Sequence, residues 1–310
     1  MKHKKVLVTG SSGFIGSHIA DILDENGYEV VLFDTISSLY KRNTQTELIG
    51  DILKFEDVYE AMEGCSIVYH FAAHADINTS SINPTKVIKN NIIGTQNVLE
   101  SARQNKVNRV LFASTIYVYS ELGSFYRVSK QACEKIIEEY QKEFELDYTI
   151  LRFGSIYGPR ANDFNAIQDF ITQAIKNKKI IRRGDGNEIR EYIHVKDAAE
   201  LSLQSLDDKY KNMALIVTGN QQIKVKELLT MIQEIFDGDI EIEYGNENEL
   251  HHYEITPYSF KPQVARKITP ELYYDLGQGI LDLIYVIQQT LGKEKKQSEI
   301  TLRKRKNDNN

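Results

Sequence analysis

Over the first two-thirds of the chain, short apolar runs alternate with longer segments in which apolar residues recur every three or four positions. The runs KKVLVTG, EVVLFD, SIVYHFAA, RVLFAST and DYTILRF predict strands, and the stretches GSHIADILDENG, FEDVYEAME, NNIIGTQNVLESARQN and YRVSKQACEKIIEEYQKEF predict the helices between them. In the last of these, Ala132, Cys133, Ile136, Ile137 and Tyr140 form one apolar stripe, set against Glu134, Lys135, Glu138 and Glu139. Such alternation is the pattern of a parallel sheet with helices on both faces. From about residue 160 the pattern loosens, and Gly, Asn and charge cluster in GPRANDFN and RRGDGNEIREY, which marks a second, smaller unit. The run ALIVTG then returns the chain to sheet. The expected organisation is a first domain over residues 1–160, with later strands crossing back near 190–220, a second region over 161–291, and a flexible basic tail over 292–310.

Composition narrows the class. A chain of 310 residues can bury a substantial core without staples, and its 38 basic and 44 acidic residues give a formal charge of −6. That balance argues against a general nucleic-acid or membrane-surface binder. The exception is the tail GKEKKQSEITLRKRKNDNN, whose basic cluster reads as a solvated terminus. The two cysteines, Cys65 and Cys133, stand in apolar or helical contexts and read as reduced core thiols, so neither disulfide nor metal site is expected. No apolar stretch has the length of a bilayer span, and MKHKKVLVTG enters a strand directly, so a cytoplasmic protein is expected.

Chemistry enters with VLVTGSSGFIGSH. Gly10, Gly13 and Gly16 follow an apolar run and open a helical one that begins Phe14–Ile15. The glycines permit a tight strand-to-helix turn, let backbone approach a pyrophosphate and leave it facing the positive end of the helix dipole. The second strand ends in Asp34, 18 residues beyond Gly16. A carboxylate there accepts hydrogen bonds from both hydroxyls of an adenosine ribose and repels a 2′-phosphate, which favours NAD over NADP. Asp51 and Ile52, after the short third strand, stand where the chain could close over the adenine. Further on, Tyr126 and Lys130 are four apart and share one helical face. Alone, that spacing suits a catalytic pair or a half-buried Tyr beside a solvated Lys.

These features, with HFAAHADI, NNIIGTQNVLE, LRFGSIYGPR, REYIHVKDAAE and ARKITPELYYDLGQGILDLI, make the chain resemble the extended short-chain dehydrogenase/reductase family. These are NAD-dependent epimerases and dehydratases of nucleotide sugars, and the resemblance covers nearly the whole chain. It implies an α/β fold: a Rossmann-type doubly wound parallel sheet with a smaller C-terminal substrate-binding α/β region. It implies NAD as cofactor, a nucleoside-diphosphate sugar as substrate, and a homodimer pairing the helices near 91–104 and 126–144. By the same match Thr115 holds the reacting sugar oxygen, Tyr126 is the acid/base and Lys130 holds the nicotinamide ribose. Ala72 and Ala73 line the cofactor groove. His74 and Asn91 lie near the substrate, Asn91 alternatively supporting the strand geometry. Arg190 contacts the substrate pyrophosphate or makes an interdomain salt bridge, Arg266 is a further candidate phosphate contact, and His194 is a packed structural histidine.

The departures from the family pattern carry information too. Ile116 and Tyr117 follow Thr115 where sugar 4,6-dehydratases carry an Asp-Glu pair and the decarboxylating branch a glutamate. An isoleucine transfers no proton, so the resemblance points to oxidation and re-reduction at one carbon, C4 epimerisation above all, with a 4-dehydrogenase or ketosugar reductase that releases its product as the alternative and a 4,6-dehydratase or a non-catalytic NAD-binding protein behind it. The connection from Thr115 to Tyr126 is short, Ser155 stands where an Asn commonly contacts the substrate, and Ser120 replaces a glycine. These changes leave the sugar's identity open.

Overall fold

The computed structural model describes residues 4–245 and 252–257. Its centre is a seven-stranded parallel sheet built from β1 (Lys5–Thr9), β2 (Glu29–Asp34), β3 (Thr46–Ile49), β4 (Ile67–His70), β5 (Arg109–Thr115), β6 (Asp147–Phe153) and β10 (Met213–Val217). The spatial order is β10-β6-β5-β4-β1-β2-β3. The inner strands carry runs of buried apolar residues because both faces of the sheet are covered. Alternation along β1 shows how: Leu7 packs with Val58, Val98 and Ile137 on one face, while Val6 and Val8 pack with Ile19, Leu23 and Ala199 on the other.

The first face carries α2 (Phe55–Ala61), α5 (Gly94–Gln104) and α6 (Ser124–Phe144), and the second carries α1 (Phe14–Glu25) and α8 (Val195–Gln204). Each sequence-predicted strand and helix of this part is present. The predicted helix beginning at Asn90 is not uniform, since a π-helical turn over Lys89–Ile93 precedes α5. At their junction Gly94 lies so close to Ile52 that an added Cβ would meet its Cδ1 at 2.4 Å.

Beyond β6 the chain builds smaller sheets. β7 (Ser155–Tyr157) and β11 (Gln222–Lys224) flank β9 (Ile189–His194), while β8 (Lys179–Arg182) pairs with β12 (Glu241–Tyr244). Phe170 and Ala174 of α7 (Ala166–Asn177) and Leu229 and Ile232 of α9 (Val225–Ile235) form a separate core with Ile180 and Ile240. Ile255 bridges to Ile189 at the start of β9. The described residues all belong to one compact unit, Met1–Lys261. The basic tail, the terminal motif and Arg266 lie outside the described residues.

The apolar stripe of α6 corrects one expectation. Cys133 and Ile137 enter the core as predicted, but Glu134, expected on the solvated face, is only 4% exposed. Its partners, described below, explain how a carboxylate is held there. Both cysteines are buried and unpaired by disulfide.

Candidate active site

Strand order reverses between β1 and β4, so the loops leaving their carboxyl ends part and form a crevice. The glycine loop fills one side of it. Gly10 adopts φ +71°, and a Cβ there would meet the Ala72 nitrogen at 2.6 Å, so the loop is pressed against the chain leaving β4. A Cβ on Gly16 would meet the Gly10 carbonyl oxygen at 2.2 Å, which fixes glycine where α1 folds back over its own turn. Gly13 is the N-cap of α1 and contributes no side-chain cap, and the first turn holds no acidic residue. The backbone there, from Phe14 through Gly16, is thus arranged for an anion. Phe14 and Ile15 send their side chains into apolar packing.

Asp34 closes the other end of this loop. One carboxylate oxygen accepts from the Ser12 backbone N–H at 2.9 Å and the other from Thr35 at 2.7 Å. Asp51 accepts from the Leu53 N–H at 2.9 Å, and Ile52 is buried against the core formed by Phe33 and Val98. The Ala72 N–H donates to the Thr9 hydroxyl, 3.3 Å away, and Ala73 follows it, partly buried, along the crevice. A glycine cradle that no Cβ could enter, an uncapped helix N-terminus and a fixed carboxylate 18 residues on together fit a dinucleotide with an unphosphorylated ribose.

The candidate reaction centre lies on β5 and α6. Thr115 ends β5, only 5% exposed, and its hydroxyl accepts from the Tyr117 N–H at 3.3 Å, starting a 3-10 turn over Ile116–Tyr119. Helix α6 starts abruptly after Gly123, whose φ of +100° turns the chain, which places Tyr126 in the first turn and Lys130 one turn further in. The Lys130 ammonium is 5.9 Å from the centre of the Tyr126 ring and 4.6 Å from that of Phe112, and it donates to the Ala113 carbonyl at 2.7 Å. The pair begins a helix, and Lys130 is buried, which departs from the reading of a solvated Lys beside a half-buried Tyr.

Burial pushes the Tyr126 phenol up to about 12, opposed by its hydrogen-bonding neighbour Thr115. Burial likewise pushes the Lys130 ammonium down to about 8, opposed by Cys133 and Glu134. The phenol therefore holds its proton at neutral pH in the protein alone.

The residues expected near substrate divide. Asn91 is 1% exposed; its amide donates to the His74 carbonyl at 3.1 Å and to the Ser129 hydroxyl at 2.8 Å, and its oxygen accepts from the His74 N–H at 2.7 Å. Both its N–H donors are thus engaged inside the protein, which favours the strand-supporting role over substrate contact. The His74 ring pairs with the Thr79 hydroxyl at 2.9 Å. Ser155 and Arg190 come together around Tyr253: the Ser155 and Tyr253 hydroxyls are 3.5 Å apart, and the guanidinium lies 4.3 Å from the Tyr253 ring centre. Arg190 also donates to the Ile189 carbonyl at 3.0 Å. His194 caps α8, accepting from the Lys196 N–H at 3.3 Å.

Sequence reasoning missed the far wall of this region. The Tyr117 hydroxyl is 2.6 Å from His252 Nδ1, and its ring is 4.7 Å from that of Tyr253. Tyr117 also packs on Gly123, where a Cβ would meet its ring at 2.7 Å. No local motif joins residues 135 positions apart, so only the folded chain reveals the pair. The spacing of Glu134, four beyond Lys130, was the one available hint of the buried charge cluster.

The family model described as "NAD dependent epimerase/dehydratase family" matches residues 6–215, and the chain belongs to that family. Its cofactor is accordingly NAD. A candidate UDP-glucose 4-epimerase of Methanocaldococcus jannaschii is 32% identical over 89% of this chain and 95% of its own length. A UDP-N-acetyl-alpha-D-glucosaminuronate decarboxylase of Bacillus cytotoxicus is 28% identical over 85% of this chain and 90% of its own. Among solved structures, the UDP-glucose 4-epimerase of Thermotoga maritima with UDP-glucose superposes with a TM-score of 0.77 at 26% identity, covering 83% of this chain and 90% of the other. The relatives define an enzyme family of NAD-dependent nucleotide-sugar epimerases, decarboxylases and dehydratases.

Proposed function

We propose that this enzyme is a nucleotide-sugar 4-epimerase. The observation that carries the reading is the joining of Thr115, Tyr126 and Lys130 beside the crevice, with Ile116 buried at 1% exposure and Tyr117, not a carboxylate, after it. Decarboxylation and 4,6-dehydration need further proton traffic at that turn, and the residues present are an aliphatic side chain and a phenol bonded to His252.

In this reading Thr115 holds the C4 oxygen and Tyr126 takes the C4 hydroxyl proton. When bound, NAD would supply the acceptor and donor of the C4 hydride, and the other face of the ketone would have to be presented for re-reduction. Lys130 orients the nicotinamide ribose and, as an ammonium, lowers the cost of forming the Tyr126 phenolate that burial opposes. The same phenol returns the proton. Arg190 offers its guanidinium to the diphosphate, and Gly10, Gly13, Gly16, Asp34 and Asp51–Ile52 hold the cofactor. The region beyond residue 160 supplies the sugar side, and the protein works as a homodimer.

The test is to release and weigh the bound cofactor, then incubate the enzyme with UDP-glucose, UDP-N-acetylglucosamine and UDP-glucuronic acid while following C4 stereochemistry and reduced nicotinamide. Conversion to the C4 epimer without net reduced nicotinamide is expected, and Tyr126→Phe should lower turnover by about a hundredfold or more while leaving the fold intact. Stoichiometric reduced nicotinamide with release of a ketone would make the protein a 4-dehydrogenase instead. Carbon dioxide from UDP-glucuronic acid, or a Tyr126→Phe protein as active as wild type, would sink the reading.

A further inference from the structure

The carboxylate of Glu134 has no place in the chemistry above, yet it is among the most buried charges of the described residues. It lies on α6 one turn beyond Lys130 and accepts two hydrogen bonds from the Arg152 guanidinium of β6, at 3.0 and 2.6 Å. One of these Glu134 oxygens also accepts from the Ser114 hydroxyl of β5 at 2.5 Å. Arg152 continues the chain, donating to the Tyr119 hydroxyl at 2.5 Å and lying 4.8 Å from that ring's centre. Tyr119 closes the 3-10 turn that Thr115 starts, and Ser114 immediately precedes Thr115. One buried network therefore touches the strand that ends in Thr115, the turn after it, the helix that carries Tyr126 and Lys130, and β6 behind them.

Burying an ion pair contributes little net stability, because desolvation offsets the Coulomb attraction, whereas such a pair can fix one relative placement of the elements it joins. Apolar packing between α6 and the sheet carries little direction of its own. Three directed hydrogen bonds to one carboxylate supply it.

Resting on the catalytic reading of Thr115, Tyr126 and Lys130, we propose that Glu134 is a positioning residue for that set, its carboxylate holding α6 in register with the end of β5 through Ser114 and Arg152. Glu134 also acts on Lys130 electrostatically. The groups facing that ammonium are Tyr126, Cys133 and Glu134 on α6, His70 on β4 and the Ala113 carbonyl on β5. The Cys133 thiol is raised by burial and stays neutral, and burial holds His70 neutral as well. Among these groups Glu134 is the carboxylate whose charge favours the ammonium form of Lys130 against burial.

The experiment compares Glu134→Gln, Glu134→Asp and Ser114→Ala with wild type in two readouts. The first is the titration of Lys130, followed by NMR of isotope-labelled lysine Cε and assigned with Lys130→Met; it needs no substrate. Glu134→Gln should move the midpoint below wild type by about half a unit or more, and Glu134→Asp, which keeps the charge, should restore most of it. The second is turnover of whichever nucleotide sugar wild type converts. Glu134→Gln and Ser114→Ala should lower kcat about tenfold with KM little changed, the mark of a misplaced catalytic group. If Glu134→Gln does not fold, Ser114→Ala, which removes one hydroxyl and no charge, carries the kcat test. An unmoved Lys130 midpoint in Glu134→Gln, or a wild-type kcat in Ser114→Ala, overturns the proposal. Full turnover in Tyr126→Phe would overturn the catalytic reading instead, while the lysine titration would still test Glu134 independently.

Discussion

A phenol pushed up to about 12 and an ammonium pushed down to about 8 stand on neighbouring turns of one helix, each displaced by burial. On the proposed reading, the shift of Lys130 sets an upper pH bound on catalysis: as pH rises past about 8 the ammonium is lost and with it the charge that favours the phenolate. The pH profile of kcat/KM, which reports groups of the free enzyme, should therefore fall on the alkaline side. His70 is the other displaced group, held near 3 by burial and by Lys130, its ring nitrogens bonded to the Thr9 and Thr95 hydroxyls. An unfolded histidine binds its proton near 6.5, so between that value and about 3 the unfolded chain holds more protons here than the folded one. This site's contribution to stability is therefore full above 6.5 and is lost progressively as pH falls toward 3. Denaturant titrations of His70→Gln should show a shallower decline in stability over that window than wild type does.

At the scale of elements, the strand-to-helix turn at Gly10–Gly16 is the tightest piece of the site. Gly16→Ala would drive a methyl into the Gly10 carbonyl, which cannot retreat because Gly10 is itself pressed on Ala72. Co-purified NAD should drop at least tenfold in that variant, measured as cofactor released per chain, with the far-UV spectrum retained. The segment 252–257 is a second such element. It reaches β9 through the Ile189 N–H, which donates to the Glu254 carbonyl at 2.7 Å, and it supports Arg190 from one side with the Tyr253 ring. Tyr253→Ala should raise KM for the nucleotide sugar several-fold with a smaller change in kcat, since the ring fixes the guanidinium and takes no proton.

For the whole molecule, the outer face of α6 remains to be accounted for. Ile136 and Tyr140 are partly buried against the core, while Phe144 is 51% exposed, its ring tilted against that of Tyr140 and lying under the Arg103 guanidinium. The homodimer proposed above would cover this face with the same helices of a second copy. Phe144→Glu places a charge on that face, and light scattering should then report a shift from dimer toward monomer. Among the described residues no helix is long and apolar enough to cross a membrane.

The sequence by itself determined the central sheet and the cofactor crevice, because each depends on neighbours along the chain. Strands buried on both faces read as apolar runs, and the glycine turn is a local necessity of steric contact between Gly10, Gly13 and Gly16. The Thr115, Tyr126 and Lys130 set was legible through the family resemblance, because the Tyr–Lys spacing alone suits a structural pair as well, although the three lie within 16 residues of chain. What periodicity misjudged was Glu134: a carboxylate counts as polar in any pattern, and only Ser114 and Arg152, brought from two other strands, decide that it is inside. Asn91 was ambiguous until Ser129 and the His74 backbone took up its amide. Tyr117, His252, Tyr253 and Arg190 came together only in the fold, since contacts between distant segments are fixed by how layers pack and leave no local spacing to read.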